Sequence, residues 1–543
     1  MNQKRRIKEL QSGNAVKRSS KEKVTAMIEK NTMALPDLLW VGGLSTMALL
    51  AAVMMAAQSP YMIVMIPGAL LLAALLLSSD TLCLAAVIPV LPLSASTLFT
   101  AQLLPVPGAR INNILLLLLL LGFLLNRKPD FRELRPAAVF YAGSLLLLTA
   151  AIFRTGHVAG FAREFWQESY SPVKFFLSHG LIPLLTSIPF LMIAGSIRQG
   201  KEIRRVLFYL ALSMSLFSGV IVGTWVLKVP PGADFSTVRD IIGLETLGMH
   251  GNNLADFIIV GFPLMLAMAL VPRGKYRRWF YVAAALSLVA ATLIYSRTAY
   301  AMILLSIAAI VMLTRQYRLI LPVVVLVVLV AVAMPGVTER ALTGLEGGER
   351  NVITAGRTDE IWRPVMREWR QRTATHPWQT LAGYGRYGIM DFQTFRNGRM
   401  LRVTHSHNMF LDTLVDTGII GLAFYLGFLG YVLTGLLRAF YRRRRSGSIE
   451  ELHVAAGLLT SLGCFLGRGL TDSFLLPQLT NAYFYMVMAL AFVIIGQEKK
   501  QRFLESTARG EVGKSPKATT ATMTNRGWEQ PPASLEGEGV EWA

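Results

Sequence analysis

The chain has 543 residues, 53% of them hydrophobic and only 16% charged, with a mean hydropathy of +0.46. Its apolar residues gather in runs that cross a bilayer as helices of about 20 residues, which excludes an ordinary water-soluble globule. The formal net charge of +21 is spread over the loops between runs, a pattern that suits membrane topology and anionic lipid and speaks against nucleic-acid binding.

In chain order, residues 1–37 read as a basic cytoplasmic arm, with no small-residue cleavage site after the first apolar run. Apolar runs at 38–57, 61–77, 81–93, 111–125, 137–152, 175–197, 206–227, 253–271, 279–295, 299–314 and 319–334 give an N-terminal transmembrane bundle of about 11 helices over 38–334. A large outer loop follows at 335–408. Runs at 409–437, 452–468 and 479–496 supply the C-terminal transmembrane helices over 409–496, and 497–543 reads as a disordered cytoplasmic tail without apolar periodicity. The fold class expected is an all-α polytopic membrane protein of roughly 12–14 transmembrane helices, with a large extracytoplasmic loop containing short amphipathic helices.

Every second loop is basic, with Arg127 and Lys128, Arg198 and Lys201, Arg273 and Lys275, Arg315 and Arg318, and Arg442 to Arg445. Lys and Arg collect in loops that stay inside, so both termini are expected to be cytoplasmic. The long loops at 94–110, 153–174, 228–252 and 335–408 then face outward, and so does the chemistry. Cys83 and Cys464 fall within apolar runs and indicate no disulfide, zinc site or thiol chemistry.

Within the longest loop, Thr358-Asp359-Glu360 can start a helix in which Trp362, Met366 and Trp369 oppose Arg363, Arg367 and Arg370. Such a helix lies along the bilayer surface, or packs its two Trp onto the spans, and Pro364 requires a late start or a kink. The loop has eleven Arg and no Lys. Arg presents a planar fork that matches phosphate oxygens, so phosphate or diphosphate recognition is one reading and a solvated basic loop the other.

Arg297 sits between two apolar runs with almost no loop, where a charge is costly unless paired, functional or snorkelling to the interface. Arg239 lies upstream of Gly251-Asn252-Asn253-Leu254-Ala255-Asp256, which enters the next run. His407, flanked by His405 and Asn408, opens a run that carries Asp412 and Asp416 at helical spacing on one face. A general base with orienting acids fits this pattern, as does a structural cap; His405 and His407 lack a third metal ligand at a fixed spacing. After nine residues come Gly418 and Gly421, whose spacing lets the helix pack closely against a neighbour.

These residues resemble the bacterial O-antigen ligase and polymerase superfamily of membrane glycosyltransferases. The ligase signature of His-Asn, nine residues and Gly-x-x-Gly is matched by His407-Asn408, Gly418 and Gly421. Gly356-Arg357 with Trp362, His376-Pro377, Gly383-Tyr384-Gly385, Ser296-Arg297-Thr298 and Asn252-Asn253-Leu254-Ala255 support it. The resemblance implies an inner-membrane enzyme with its site on the outer face. It would transfer a glycan from an undecaprenyl diphosphate-linked donor to a sugar hydroxyl on lipid A core or on a growing glycan, with no cofactor or metal. It implies that Arg297 and Arg239 bind the diphosphate and that His407 handles the proton. Asn408, Arg357, Asn252, Asn253, His405 and Arg386 are the residues expected to bind substrate.

Within that reading the signature at His407 leans toward ligase, and a polymerase extending lipid-linked repeats is the alternative. A polysaccharide transporter or lipid flippase would need ionisable residues deep in the spans, of which Asp256 near a span end is the clearest. A non-catalytic scaffold would leave Arg297 and His407 without a role.

Overall fold

The protein is seen in a computed structural model, which describes residues 80–93, 96, 116–117, 119–120, 135–154, 186–197, 200–272, 274–333, 335–342, 356–392, 405–446, 448–473 and 482–508. All regular structure among them is helical. The chain is an all-α polytopic membrane protein, and six of the described helices are long and apolar enough to cross a membrane. The runs expected at 38–57 and 61–77, most of that at 111–125 and the first half of that at 175–197 lie outside the described residues. So do the whole of the basic arm and the tail beyond 508.

The described helices are α1 (Asp80–Val90), α2 (Arg135–Arg154), α3 (Ile188–Ser196), α4 (Gly200–Lys228), α5 (Phe235–Arg239), α6 (Gly251–Ala269), α7 (Arg277–Leu293) and α8 (Arg297–Thr314). They continue as α9 (Ile320–Ala333), α10 (Pro335–Leu342), α11 (Arg363–Thr375), α12 (Pro377–Ala382), α13 (Met409–Ser446), α14 (Ile449–Gly469) and α15 (Ala482–Ala508). The chain divides into two compact units, Met1–Gln497 and Glu498–Ala543. In the second, Arg502 Nε donates to Glu498 Oε1 at 2.9 Å.

Helix α6 is the centre of the larger unit. Beyond Asp256 it is apolar on all sides, and it is buried along nearly its whole length, as a helix must be when other helices surround it. It packs against α7, α8 and α14. The approach to α14 is close, because a Cβ at Gly457 would lie 3.1 Å from Leu264 Cα. Small residues at such a crossing let van der Waals contact hold helices together where lipid supplies no hydrophobic drive. By contrast α9 exposes Leu321, Val328, Leu329 and Val332, as a helix facing lipid would.

At one end of this bundle Arg204 pairs with Glu450 at 3.3 Å and Arg443 with Glu451 at 3.2 Å. Helices α6, α8 and α13 begin at the other end, at Gly251, Arg297 and Met409.

A second apolar cluster caps that other end. Leu148 and Ile152 of α2, Ile361, Val365 of α11, and Leu411 and Val415 of α13 meet in it, with Trp362, Met366 and Trp369 packed alongside. The Trp-bearing face of α11 therefore packs onto protein, and it is Arg363, Arg367 and Arg370 that are exposed. Pro364 is accommodated at the first turn of α11, after a π-helical turn at Thr358–Trp362.

The run expected at 409–437 is a longer helix, α13, broken at Gly418 (φ 71°, ψ −171°). A break in a helix leaves carbonyls without their i+4 donors. Here the loop supplies them: Tyr384 N donates to Val415 O at 2.8 Å and Gly385 N to Asp416 O at 3.1 Å. Gly418 thus makes a kink that also brings α13 backbone-close to α12, so the close packing expected of the signature glycines is against that short helix. At Gly418 a Cβ would fall 2.2 Å from Leu381 O, and at Gly421 one would fall 1.9 Å from Thr417 Oγ1.

Candidate active site

The strap 405–408 is built by its own polar atoms. Asp412 Oδ1 accepts from Ser406 N at 2.7 Å, and Trp362 Nε1 donates to Ser406 O at 2.8 Å. Asn408 Oδ1 accepts from Phe410 N at 3.0 Å and Leu411 N at 3.1 Å, which makes Asn408 the N-cap of α13. Its amide Nδ2 donates to Leu470 O at 3.3 Å. Asn408, expected at the substrate, has both ends of its amide engaged by the protein and is a cap.

Between the two anchors His407 is held at φ 53°, a left-handed conformation that costs a side-chain-bearing residue about 1–3 kcal/mol and persists only where the surroundings enforce it. That twist turns the imidazole away from Asp412 and Asp416 and toward the end of α14. His407 Nδ1 lies 3.5 Å from Asp472 Oδ1, and His405 Nε2 lies 3.8 Å from the same oxygen. The two rings are 4.2 Å apart.

The orienting acids expected at Asp412 and Asp416 are therefore corrected to Asp472. Asp412 fixes the strap, while Asp416 pairs with Arg386, Nη1 to Oδ2 at 2.9 Å, and accepts from Gly388 N at 3.1 Å. Arg386 is correspondingly buried and also lies over the Tyr387 ring. The structure makes it a brace under the loop rather than a substrate contact.

Asp472 is itself held. Arg468 donates through Nη2 to Asp472 Oδ2 and through Nε to Asp256 Oδ1 at 2.6 Å. Burial alone would raise the Asp472 pKa, but the His407 imidazole and the Arg468 cation outweigh it and keep the carboxyl well below the usual range. His405 goes the other way. Burial lowers its pKa despite nearby Asp412 and Asp472, so it is neutral at pH 7.

Cations extend from this point in a row. Arg357 donates to Thr471 O at 2.5 Å and is within Coulombic reach of Asp472, Arg468 and Arg297. Arg340 is within reach of both Arg297 and Arg239. Arg239 Nη2 donates to Asn252 Oδ1 at 3.2 Å, and its guanidinium lies against Gly251 at the start of α6. Arg239 Nε and Arg340 Nε are buried without a hydrogen-bond partner. Burial, with the neighbouring Arg340 charge, lowers the Arg239 pKa. Asn253 sits half-buried in the first turn of α6.

The structure thus gathers Arg239, Asn252, Arg297, Arg357, His405 and His407 at one end of the bundle. It adds Arg340, Arg468 and Asp472, which sequence reasoning missed. A signal for the last two was present: an Arg inside an apolar run, with Asp four residues on, is costly unless it pairs in place.

Chemically this is a place for an anion. Like charges crowd together, donors are unsatisfied, and α6, α8 and α13 direct their positive N-terminal ends to the same region. His405, His407 and Asp472 also bring three ligating atoms within 4.8 Å of one another. This set could hold a divalent metal, and it supplies the third ligand that the two histidines lacked in sequence.

Fold and site together define a multi-pass membrane protein with a cluster of arginines beside a carboxylate-paired histidine. Residues 257–426, about a third of the chain, match the family model described as O-antigen ligase. The matched segment is similar to the O-antigen ligase and polymerase superfamily, and it spans Arg297, Arg340, Arg357, His407 and Gly418. No curated protein matches the chain.

Proposed function

We propose that the protein transfers a glycan from an undecaprenyl diphosphate carrier to a sugar hydroxyl on the outer face of a bacterial inner membrane, as an O-antigen ligase. The observation that carries this reading is the row Arg239, Arg340, Arg297 and Arg357 ending at the His407–Asp472 pair. Arg donors hold the two phosphates and stabilise the charge that grows on them as the glycosidic C–O bond breaks. The acceptor oxygen attacks the anomeric carbon from the opposite side while His407 takes its proton, so the bonding pair leaves with the diphosphate and the configuration inverts. Asp472 stabilises the imidazolium that forms.

The family match over residues 257–426 supports ligase-type or polymerase-type transfer, and the acceptor separates the two. The deciding experiment places the purified protein in lipid nanodiscs with labelled undecaprenyl diphosphate-linked oligosaccharide, with and without lipid A core. Label on the core supports ligase, and a ladder on the carrier would replace it with the polymerase reading. Label that stays on the original carrier in every condition would overturn transfer and favour a transporter.

A further inference from the structure

We propose that Asp256 is a positioning residue for His407, acting through Arg468 and Asp472; the inference rests on the glycan-transfer reading above. Asp256 lies in the second turn of α6 and is 4% exposed, and Arg468 lies in the last turn of α14 and is 2% exposed. The guanidinium is gripped from two sides, Nε by Asp256 and Nη2 by Asp472. Its planar fork has one orientation that satisfies both acids. Asp472 Oδ2 is fixed by this grip, so Oδ1 is the oxygen that faces His407.

A buried ion pair contributes little to stability relative to an apolar pair of the same volume. Asp256 Oδ2 is moreover buried without a hydrogen-bond partner. What the arrangement does supply is registry. One turn earlier on α6, Asn252 takes Arg239, so two successive turns of one helix hold both the diphosphate arm and the proton-transfer arm. The other ionisable groups that face Asp472 are His405 and Arg357, with His250 within Coulombic reach.

The test measures kcat and the donor KM from pH 5 to 9 with undecaprenyl diphosphate-linked oligosaccharide in nanodiscs. It compares wild type, Asp256→Asn, Asp472→Asn and the double variant. Asp256→Asn is expected to lower kcat about 10- to 100-fold, with donor KM unchanged and the pH profile of kcat displaced. In the Asp472→Asn background it should have no further effect, since both changes break one chain. Wild-type kcat and profile in Asp256→Asn, or losses that add in the double variant, would overturn the proposal.

Should Asp256→Asn fail to accumulate, Arg468→Lys keeps the cation without the fork and reads the same chain. A second readout stands apart from transfer: the rate at which diethyl pyrocarbonate modifies His407, followed by mass spectrometry. Asp256→Asn should change that rate severalfold even if the glycan-transfer reading fails, and an unchanged rate counts against the proposal.

Discussion

Gly418 and Gly383 meet backbone to backbone: a Cβ on Gly418 would lie 2.5 Å from Gly383 N, and one on Gly383 would lie 2.2 Å from Asp416 O. The contact closes the loop after α12 onto the kink in α13. Both residues have positive φ, 71° and 87°, so an added methyl group meets both strain and collision. Gly418→Ala is expected to cost about 3 kcal/mol or more and to reduce transfer sharply by displacing the strap that begins α13. Thermal unfolding and activity, measured on the same detergent preparation, check this. Wild-type values for both would show that the kink is dispensable.

The arginines separate by what they touch. Arg340→Ala removes a cation from the anion row and should weaken donor binding about 10- to 100-fold, the range for a hydrogen bond to a charged group. Arg386→Ala leaves Asp416 buried without its partner and should cost about 3–5 kcal/mol of stability, with donor affinity intact in the molecules that remain folded. Binding of the lipid-linked donor and thermal unfolding, compared across the two variants, decide the assignment. A donor-binding defect in Arg386→Ala without loss of stability would restore it to the site.

This division explains which parts of the fold and site were legible in sequence. The runs became α4, α6, α8, α13 and α14 because spanning length and apolarity are local properties. Arg297 and His407 stood out because they mark the start of such runs. Asp412 and Asp416 misled: their spacing with His407 is helical, but the chain becomes helical only at Met409 and His407 is twisted to φ 53°. Arg340 was hidden because its neighbours in the site lie on other helices, whereas the Arg468–Asp472 spacing was a signal left unread. Asn408 was read as a ligand when its shape and position made it a cap. The surface-lying alternative for α11 gave way because Leu148, Ile152 and Leu411 offer its Trp face an apolar bed, which no local pattern reports.

His405 gives a pH dependence of stability. Burial holds its folded pKa below the ordinary imidazole value, so in the window beneath about 6.5 the unfolded chain binds the proton more readily than the folded one. Stability should therefore be fully present above that value and decline as pH falls through it. Asp472 contributes the opposite type of linkage. Its depressed pKa stabilises the fold at all pH above the ordinary carboxylate range and is lost only at strongly acid pH. Between pH 7 and 5 the decline in melting temperature should thus be smaller in His405→Asn than in wild type. An identical slope would assign it to another group.

The same trio predicts inhibition by zinc. His405 is neutral at pH 7 and Asp472 is ionised, so two of the three groups are in the form that binds a metal. Arg468 engages Asp472 Oδ2 and leaves Oδ1 toward both histidines. A zinc ion held there would bind His407 Nδ1, the nitrogen that faces Asp472, and so leave the ring proton on Nε2, where the ring could no longer act as a base; magnesium, which prefers oxygen ligands and keeps its water, would not compete. Transfer in nanodiscs should fall on addition of zinc, recover with EDTA and be indifferent to magnesium. In His405→Ala the inhibition should weaken, because one ligand is gone and His407 remains. Equal zinc sensitivity in that variant would place the inhibitory site elsewhere. Loss of activity on EDTA alone would instead mean that the trio holds a metal in the working protein and that His407 is a ligand rather than the base.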